Sequence, residues 1–250
     1  MLTSVRGLLA ATLFLGTGLL ATPALAQDEA ESDITVTGNA SLVSEYRFRG
    51  VDLSGGDIAI QGGVDAAHSS GFYVGVWGSS LDEDTVVGYG HTEVDIYGGW
   101  SGEIASGVTT KVGVIYYAYP NSAAGDFDYV EFTGSLGFAI GPASATVGVA
   151  YAPDQDSLGD TDNLYLYTDL GVSIPDTPLS LSAHLGYTDG FLTYTDSGKA
   201  WDWSIGAKFA LNEKLSVGVS YIDAEDDFTP GTDPYNFTDS AIVATLSVAF

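Results

Sequence analysis

The chain has 250 residues, with 33 acidic side chains against 7 basic ones, a formal net charge of -26, and no cysteine. This balance argues against nucleic acid as a partner, because lysine and arginine are the residues that grip a phosphate backbone. The lack of thiols excludes disulfide scaffolds, thiol nucleophiles and cysteine-ligated metals.

The N-terminus has the features of a secretory signal peptide. Residues 1–26 combine a basic start, an apolar run over residues 8–20 and a small-residue cleavage site ending at Ala26. Cleavage would leave residues 27–33 as an acidic periplasmic tail and residues 34–250 as one folded domain. No later run is long enough for a membrane-spanning helix, so a chain embedded in a membrane must form a closed β-barrel.

The first predicted strand covers residues 34–48, where apolar and polar side chains alternate with a period of two. This pattern places Tyr46 and Phe48 on the apolar face. The same alternation recurs in eleven further segments, at 57–67, 71–79, 91–101, 107–118, 127–140, 143–151, 163–174, 179–188, 201–210, 214–222 and 240–250. The sequence therefore predicts an all-β protein, a single antiparallel transmembrane barrel of about 12 strands.

The connections between these strands alternate in length. Long acidic connections are predicted at 49–56, 79–90, 119–126, 152–162, 189–200 and 223–239, and the connections between them are mostly tight turns. Short periplasmic turns that alternate with longer external loops are typical of outer-membrane barrels. We therefore expect the protein in the outer membrane of a Gram-negative bacterium, in contact with lipid and lipopolysaccharide.

Aromatic residues collect near the ends of the predicted strands, as the interfacial belts of membrane barrels require. The outer belt is predicted to contain Tyr46, Phe48, Tyr116, Tyr151, Tyr187, Trp201 and Tyr221, and the inner belt Phe72, Trp100, Phe138 and Phe250. The last strand ends at Phe250, which resembles the C-terminal signal by which the barrel-assembly machinery recognises outer-membrane proteins.

A barrel places its charged side chains in the lumen, because Arg or Lys facing lipid at mid-depth costs about 2 to 4 kcal/mol. The predicted channel-lining residues are Glu45, Arg47, Arg49, Asp65, Glu93, Asp95, Lys111, Glu131, Asp169, His184, Asp202 and Lys208. Two interpretations stay open. The charges can line a narrow water-filled channel, or they can pair with each other and plug the barrel.

Five segments in the first part of the predicted barrel carry a family resemblance. They are Ser44-Glu45-Tyr46-Arg47-Phe48-Arg49-Gly50-Val51, IAIQGGVD (58–65), HSSGFYVG (68–75), WGS (77–79) and VDIYGG (94–99). Together these segments resemble the TorF family of porins. The resemblance is dense over residues 33–100 and looser to residue 250. It departs from the family pattern in residues 51–57. It implies an outer-membrane barrel with a passive transport role and supplies no catalytic residues.

No cofactor, metal or enzymatic activity is expected. His184 with Asp169 or Asp202 could form part of a catalytic site, but no nucleophile motif accompanies them. The acidic stretch 154–162 lacks the oxygen ligand that an EF-hand requires where Leu158 stands. We expect a porin-like channel for small hydrophilic solutes with a mild cation preference, or alternatively a plugged barrel that binds a ligand or partner through its acidic loops.

Overall fold

The computed structural model describes residues 32–83, 88–122, 127–227 and 237–250. The predicted signal peptide and residues 27–31 of the tail lie outside the described residues. The strands are β1 (Ile34–Val43), β2 (Arg47–Phe48), β3 (Val51–Asp52), β4 (Ala59–His68), β5 (Phe72–Ser80), β6 (Thr92–Ala105), β7 (Val108–Ala118), β8 (Tyr129–Ile140), β9 (Ala143–Gln155), β10 (Thr161–Ser173), β11 (Leu179–Gly190), β12 (Lys199–Ala210), β13 (Leu215–Ala224) and β14 (Ala241–Ala249).

Twelve of these strands form one closed antiparallel barrel, which confirms the predicted fold class. From β4 to β14 each strand pairs with its sequence neighbours, and β1 closes the ring by pairing with β4 on one side and β14 on the other. At the closure the Phe250 amide donates to the Gly38 carbonyl at 2.9 Å, and the Gly38 amide donates to the Phe250 carbonyl at 2.8 Å. The ring therefore has no unpaired edge strand.

The two rims differ in the length of their connections. We call the rim with residues 69–71, 106–107, 141–142, 174–178 and 211–214 the short-turn rim. The opposite, long-loop rim carries the connections 44–58, 81–91, 119–128, 156–160, 191–198 and 225–240. Five of the six loops predicted to be long are long. The sixth, predicted over 152–162, is shortened to 156–160 because β9 and β10 extend further than the sequence pattern indicates.

The outer wall of the barrel is apolar. Large hydrophobic side chains point away from the lumen on every barrel strand, and Val36, Ile60 and Ile242 are 64%, 65% and 72% exposed. Exposed apolar surface of this extent is that of a barrel that spans a membrane. Within the described residues, no helix has the length and apolar character that crossing a membrane requires.

Six of the eleven residues predicted for the two aromatic belts are exposed near the ends of their strands, and two are exceptions. Tyr116, Tyr151, Trp201 and Tyr221 are exposed towards the long-loop rim, and Phe72 and Phe250 towards the short-turn rim. Tyr46 and Phe48 do not belong to the outer belt, so that prediction is wrong. Tyr46 is only 2% exposed, and the ring of Phe48 packs against that of Tyr117 at a centroid distance of 5.9 Å.

The exceptions arise because β1 ends at Val43 instead of continuing to Phe48. Strands β2 and β3 pair in a small hairpin of their own, with Phe48 opposite Val51. Arg49 and Gly50 form its two-residue turn with φ of 50° and 81°, the positive values that a tight hairpin turn needs. We call residues 45–54 the lumen hairpin, because its side chains contact the inner wall of the barrel.

Candidate functional site

The tip of the lumen hairpin is fixed by an ion pair across the bore. Arg49 Nη2 donates to both carboxylate oxygens of Glu131 on β8, at 2.7 Å each, and the two side chains are 7% and 1% exposed. The guanidinium also lies over the ring of Tyr165 at 4.1 Å. Burial lowers the pKa of Arg49, but Glu131 and the nearby tyrosines raise it above the ordinary value, so the side chain stays charged.

The base of the hairpin is held by a second set of polar contacts. Arg47 forms an ion pair with Glu45 and donates from Nη1 to the carbonyls of Gly50 at 3.0 Å and Phe237 at 3.1 Å. Burial raises the pKa of the Glu45 carboxyl, although Arg47 lowers it. Asp52 accepts from the amides of Ser54 at 2.8 Å and Gly56 at 2.7 Å. The hairpin is therefore a defined structure and its conformation depends on buried charge.

The wall that faces the hairpin carries two more buried acids. Glu93 accepts from the hydroxyls of Tyr46 at 2.9 Å and Tyr119 at 3.3 Å. Asp95 is completely buried, and neither of its carboxylate oxygens has a hydrogen-bond donor among the described residues. The two arginines of the hairpin therefore pair with Glu45 and Glu131, and Glu93 and Asp95 have no basic partner among the residues that the structure describes.

A second network connects three predicted lining residues on neighbouring strands. His184 Nδ1 lies 2.6 Å from Asp169 Oδ1, and Nε2 lies 3.1 Å from Asp202 Oδ1 and 2.7 Å from the Tyr165 hydroxyl. Both ring nitrogens are thus engaged, and the hydroxyl within reach belongs to a residue that is only 6% exposed. The imidazole therefore links Asp169 on β10 to Asp202 on β12 and to the hydroxyl of Tyr165.

Tyrosine rings cover more of the inner wall than the sequence interpretation indicated. The rings lie over glycines of adjacent strands. A Cβ atom added at Gly75 would lie 2.4 Å from the ring of Tyr97, and one added at Gly148 would lie 2.2 Å from the ring of Tyr167. Glycines of the inner face are therefore partly covered by tyrosine rings. The period of two does place these tyrosines on the inner face, so the signal was present.

Below the hairpin, the lumen contains a cavity of about 370 Å³. Its lining extends from Arg49 and Glu131 to Gly107 in the short turn between β6 and β7. Most of the wall between these ends is made of small residues and of serine and threonine hydroxyls, and Lys111 and Lys208 lie among them. We call this region the short-turn half of the lumen and the region around the hairpin the long-loop half.

The structure thus brings most of the predicted lining residues into three groups. Arg49 meets Glu131, Arg47 meets Glu45, and His184 meets Asp169 and Asp202. Asp65 lies apart from these groups and accepts from the Tyr97 hydroxyl at 2.7 Å. Lys111 Nζ lies over the ring of Tyr73 at 4.6 Å. Their predicted role in selectivity stays a prediction.

Comparisons with known proteins agree with this architecture. Residues 27–250 match the model of a family described as a bacterial protein of unknown function (Gcw_chp). This match does not confirm the TorF resemblance, which stays a prediction. A comparison with curated protein sequences finds no match.

Two solved porin structures are similar in fold. The KdgM porin aligns with a TM-score of 0.56 at 5% sequence identity, over 86% of this chain and 98% of that one. The NanC porin aligns with a TM-score of 0.57 at 9% identity, over 86% of this chain and 99% of that one. At these identities the likeness concerns the barrel fold and not the lumen chemistry.

Proposed function

This chain belongs to the Gcw_chp family of bacterial proteins, whose function is unknown, and from its lumen we propose that it is a porin-like channel of the outer membrane. The observation that carries the proposal is the cavity of about 370 Å³ inside a closed barrel, with charged and hydroxyl side chains on its wall. A lumen of this kind suits passive diffusion of small hydrophilic solutes, because water and polar solutes replace each other there at little cost.

In this proposal the lumen hairpin forms the constriction. It crosses the bore at the level of Glu131, so a solute that enters from the long-loop rim has to pass it. The hairpin contacts the wall through aromatic rings and through polar groups, and water can replace the polar contacts when the hairpin shifts. Conduction then depends on how far the hairpin moves from the wall.

The proposal includes a mild preference for cations. The acidic excess of the whole chain is large, and acidic residues are frequent in the connections of the long-loop rim. Negative charge at the entrance of a narrow channel raises the local concentration of cations relative to that of anions.

Liposome swelling tests the transport proposal. Vesicles that contain the refolded chain should swell in isotonic glucose faster than vesicles that contain heat-denatured chain. Planar-bilayer measurements in a KCl gradient should give a reversal potential of the sign expected for cations. If the folded chain neither conducts nor admits glucose, the channel proposal is wrong. A reversal potential of the opposite sign overturns only the ion preference.

The second candidate is a plugged barrel that binds a ligand or partner through its acidic external loops. The buried Arg49–Glu131 pair favours it, since such a pair is costly to separate. The swelling measurement distinguishes the two candidates, because a permanent plug gives no flux of glucose although the chain is folded.

The cellular location follows from the same proposal. The apolar outer wall would contact lipid and lipopolysaccharide, and the cleaved N-terminal segment would direct export. We propose that the last strand, which ends at Phe250, is the segment read by the barrel-assembly machinery. Removal of Phe250 would then reduce insertion into the outer membrane, measured as the fraction of protein found in that membrane.

A further inference from the structure

The charged side chains that line the cavity below the hairpin are engaged with other groups of the protein. Their contacts are Arg47–Glu45, Arg49–Glu131, His184–Asp169, His184–Asp202 and Lys111–Tyr73. Lys208, which also lines the cavity, interacts with another group of the chain. A charged solute in the cavity would therefore have to compete with these contacts for a counter-charge.

Hydroxyl groups make up much of the remaining wall. Eleven serine and threonine residues belong to the described lining. Each hydroxyl can donate one hydrogen bond and accept two, as can each hydroxyl of a sugar. The cavity volume of about 370 Å³ lies near the lower end of the range of roughly 300 to 1,000 Å³ that is usual for small-molecule sites. The cavity therefore has the size and the hydrogen-bonding groups that suit a small polyhydroxylated solute.

On one wall, two of these hydroxyls lie on either side of a glycine. Thr109 on β7, Gly137 on β8 and Thr146 on β9 are register partners in adjacent strands, and all three line the cavity. A Cβ atom added at Gly137 would lie 2.6 Å from Thr109 Oγ1 and 4.0 Å from Thr146 Oγ1. The glycine thus leaves a recess in the wall with a hydroxyl on each side.

The same arrangement is present on a second wall. Ser182 on β11, Gly206 on β12 and Ser220 on β13 are register partners, and the two serines line the cavity. A Cβ atom added at Gly206 would lie 2.6 Å from Ser220 Oγ and 2.9 Å from Ser182 Oγ. Strands β8 and β12 are four strands apart in the ring of twelve. We call the two arrangements, 109/137/146 and 182/206/220, the hydroxyl recesses.

A neutral sugar or sugar alcohol matches these recesses because its hydroxyls lie on neighbouring carbons. Each solute hydroxyl can exchange a hydrogen bond to water for one to a wall hydroxyl at little net cost. A charged solute has to give up part of its hydration, and burial of a charge is costly unless a counter-charge compensates it. Because the charges of the wall are already engaged, the cavity should favour the neutral solute.

We propose that the short-turn half of the lumen binds neutral polyhydroxylated solutes, sugars or sugar alcohols, through the two hydroxyl recesses and in preference to charged sugars of the same size. The proposal rests on the proposed function in that it names the solute class of the same lumen. The cation preference concerns inorganic ions at the entrance on the long-loop rim, whereas this binding concerns organic solutes in the cavity.

Isothermal titration calorimetry on the folded chain tests the proposal without requiring transport. The detergent is dodecyldimethylamine oxide, because a detergent with a sugar headgroup would compete for the site. The probes are D-glucose, D-glucuronate and D-glucosamine, which share one ring size and differ in charge. Glucose should bind at least about fivefold more tightly than either charged sugar. Equal affinities, tighter binding of a charged sugar or no binding of glucose would overturn the proposal.

Removal of single hydroxyls tests the two recesses separately. Thr109→Val and Ser220→Ala should each lower glucose affinity about fivefold, which corresponds to about 1 kcal/mol. Thr110→Val is the matched control, because it removes the same group one position further along β7, on the opposite face of the strand. A loss of affinity in Thr110→Val equal to that in Thr109→Val would refute the recess on that wall.

Filling a recess tests it from the opposite direction. Gly137→Ala adds a methyl group 2.6 Å from Thr109 Oγ1, so this hydroxyl has to turn away and glucose affinity should fall about tenfold. Gly218→Ala is the control, because it adds a methyl group to the same lining, where the nearest atom is the carbonyl oxygen of Ala207 at 3.6 Å. Equal losses in the two variants would show a general narrowing of the lumen and refute the recess.

Folding of every variant is verified by heat-dependent gel migration. Thr109→Val and Ser220→Ala keep side chains of nearly the same size, so they decide the matter if Gly137→Ala does not fold. KCl conductance in planar bilayers reports separately on the channel. A barrel that conducts but does not bind glucose refutes only the site, and a folded barrel that binds glucose without conducting refutes only the channel.

Discussion

The long-loop half and the short-turn half of the lumen are lined by the same twelve strands but contain different chemistry. In the long-loop half the hairpin crosses the bore, and Glu93, Asp95 and Glu131 are at most 1% exposed. In the short-turn half most of the lining side chains are small, and the bore keeps a cavity of about 370 Å³. One barrel thus joins a packed interior with buried acids to a cavity lined mainly by small and hydroxyl side chains.

This difference shows that strand number alone does not decide whether a barrel is filled. A ring of twelve strands lies between the small barrels that side chains fill and the wide porins that hold water. Here an inserted segment of about ten residues narrows one half, and the glycine, serine and threonine residues of the other half leave a cavity. The two halves should therefore respond differently to substitution.

The largest effect is expected at the buried ion pair of the long-loop half. Arg49→Gln leaves the Glu131 carboxylate buried without its partner, and removal of one member of a buried pair costs about 3 to 5 kcal/mol. We expect this loss in the free energy of unfolding, measured by urea titration in lipid vesicles. The hairpin should also leave the wall, so single-channel conductance should rise.

Two comparisons control this prediction. The double variant Arg49→Gln with Glu131→Gln removes both charges and should regain most of the lost stability. Lys199→Gln breaks an ion pair with Asp189 at 3.2 Å whose side chains are 54% and 44% exposed, and such pairs contribute at most about 1 kcal/mol. If Arg49→Gln and Lys199→Gln cost the same, the hairpin is not held by its ion pair.

An intermediate effect is expected at the hairpin turn. In Gly50→Ala the new Cβ would lie 2.5 Å from Cβ of Ala224, and such overpacking costs about 1 to 3 kcal/mol. Gly56→Ala is the matched control, because Gly56 has a similar φ of +75° but nothing within 4 Å. In both variants the alanine has to adopt the left-handed conformation, which lowers the free energy of unfolding by about 1 to 2 kcal/mol.

The difference between the two alanine variants therefore measures the contact between hairpin and wall. Gly50→Ala should lower the urea midpoint more than Gly56→Ala and should raise conductance, whereas Gly56→Ala should leave conductance unchanged. Equal effects of the two substitutions would mean that the tip of the hairpin does not press on the wall.

The sequence predicted the barrel well because its determinants are local. Alternation over about ten residues identifies each strand, and the connections identify the rims. It failed at β1, where Tyr46 and Phe48 continue the alternation although the strand ends at Val43. The chain leaves the barrel wall after Val43 because its next residues contact distant acids. Tyr46 contacts Glu93, which lies 47 residues further along the chain, and Arg49 contacts Glu131, which lies 82 residues further along. A local pattern cannot contain that information.

The charged residues follow the same division between local and distant determinants. The period of two places nine of the twelve predicted lining residues on barrel strands, whereas Glu45, Arg47 and Arg49 lie in the hairpin beyond the end of β1. The role of all twelve in lining a channel stays a prediction. Their partners could not be predicted, because pairing in a closed ring depends on strand stagger and on the path of the hairpin. The turn at Arg49-Gly50 was not predicted, because Arg-Gly is not among the dipeptides that favour a two-residue hairpin turn.

The smallest effect is expected at the base of the hairpin and depends on pH. Burial raises the pKa of Glu45, so folding favours its protonated form. This stability is fully present below the unfolded pKa of about 4.3 and is lost as pH rises through the folded value. Between pH 4 and pH 8 the wild type should therefore lose stability relative to Glu45→Gln, by no more than about 1 kcal/mol because the site is partly solvated.

Urea titrations at both pH values measure this change, and Glu213→Gln in an exposed short turn is the control that should show no such pH dependence. The ion pair with Arg47 acts in the opposite direction, since it favours the charged carboxylate. A wild type that gains stability over Glu45→Gln as pH rises would mean that this ion pair outweighs burial. The base of the hairpin would then be held in the same way as its tip, by charge pairing.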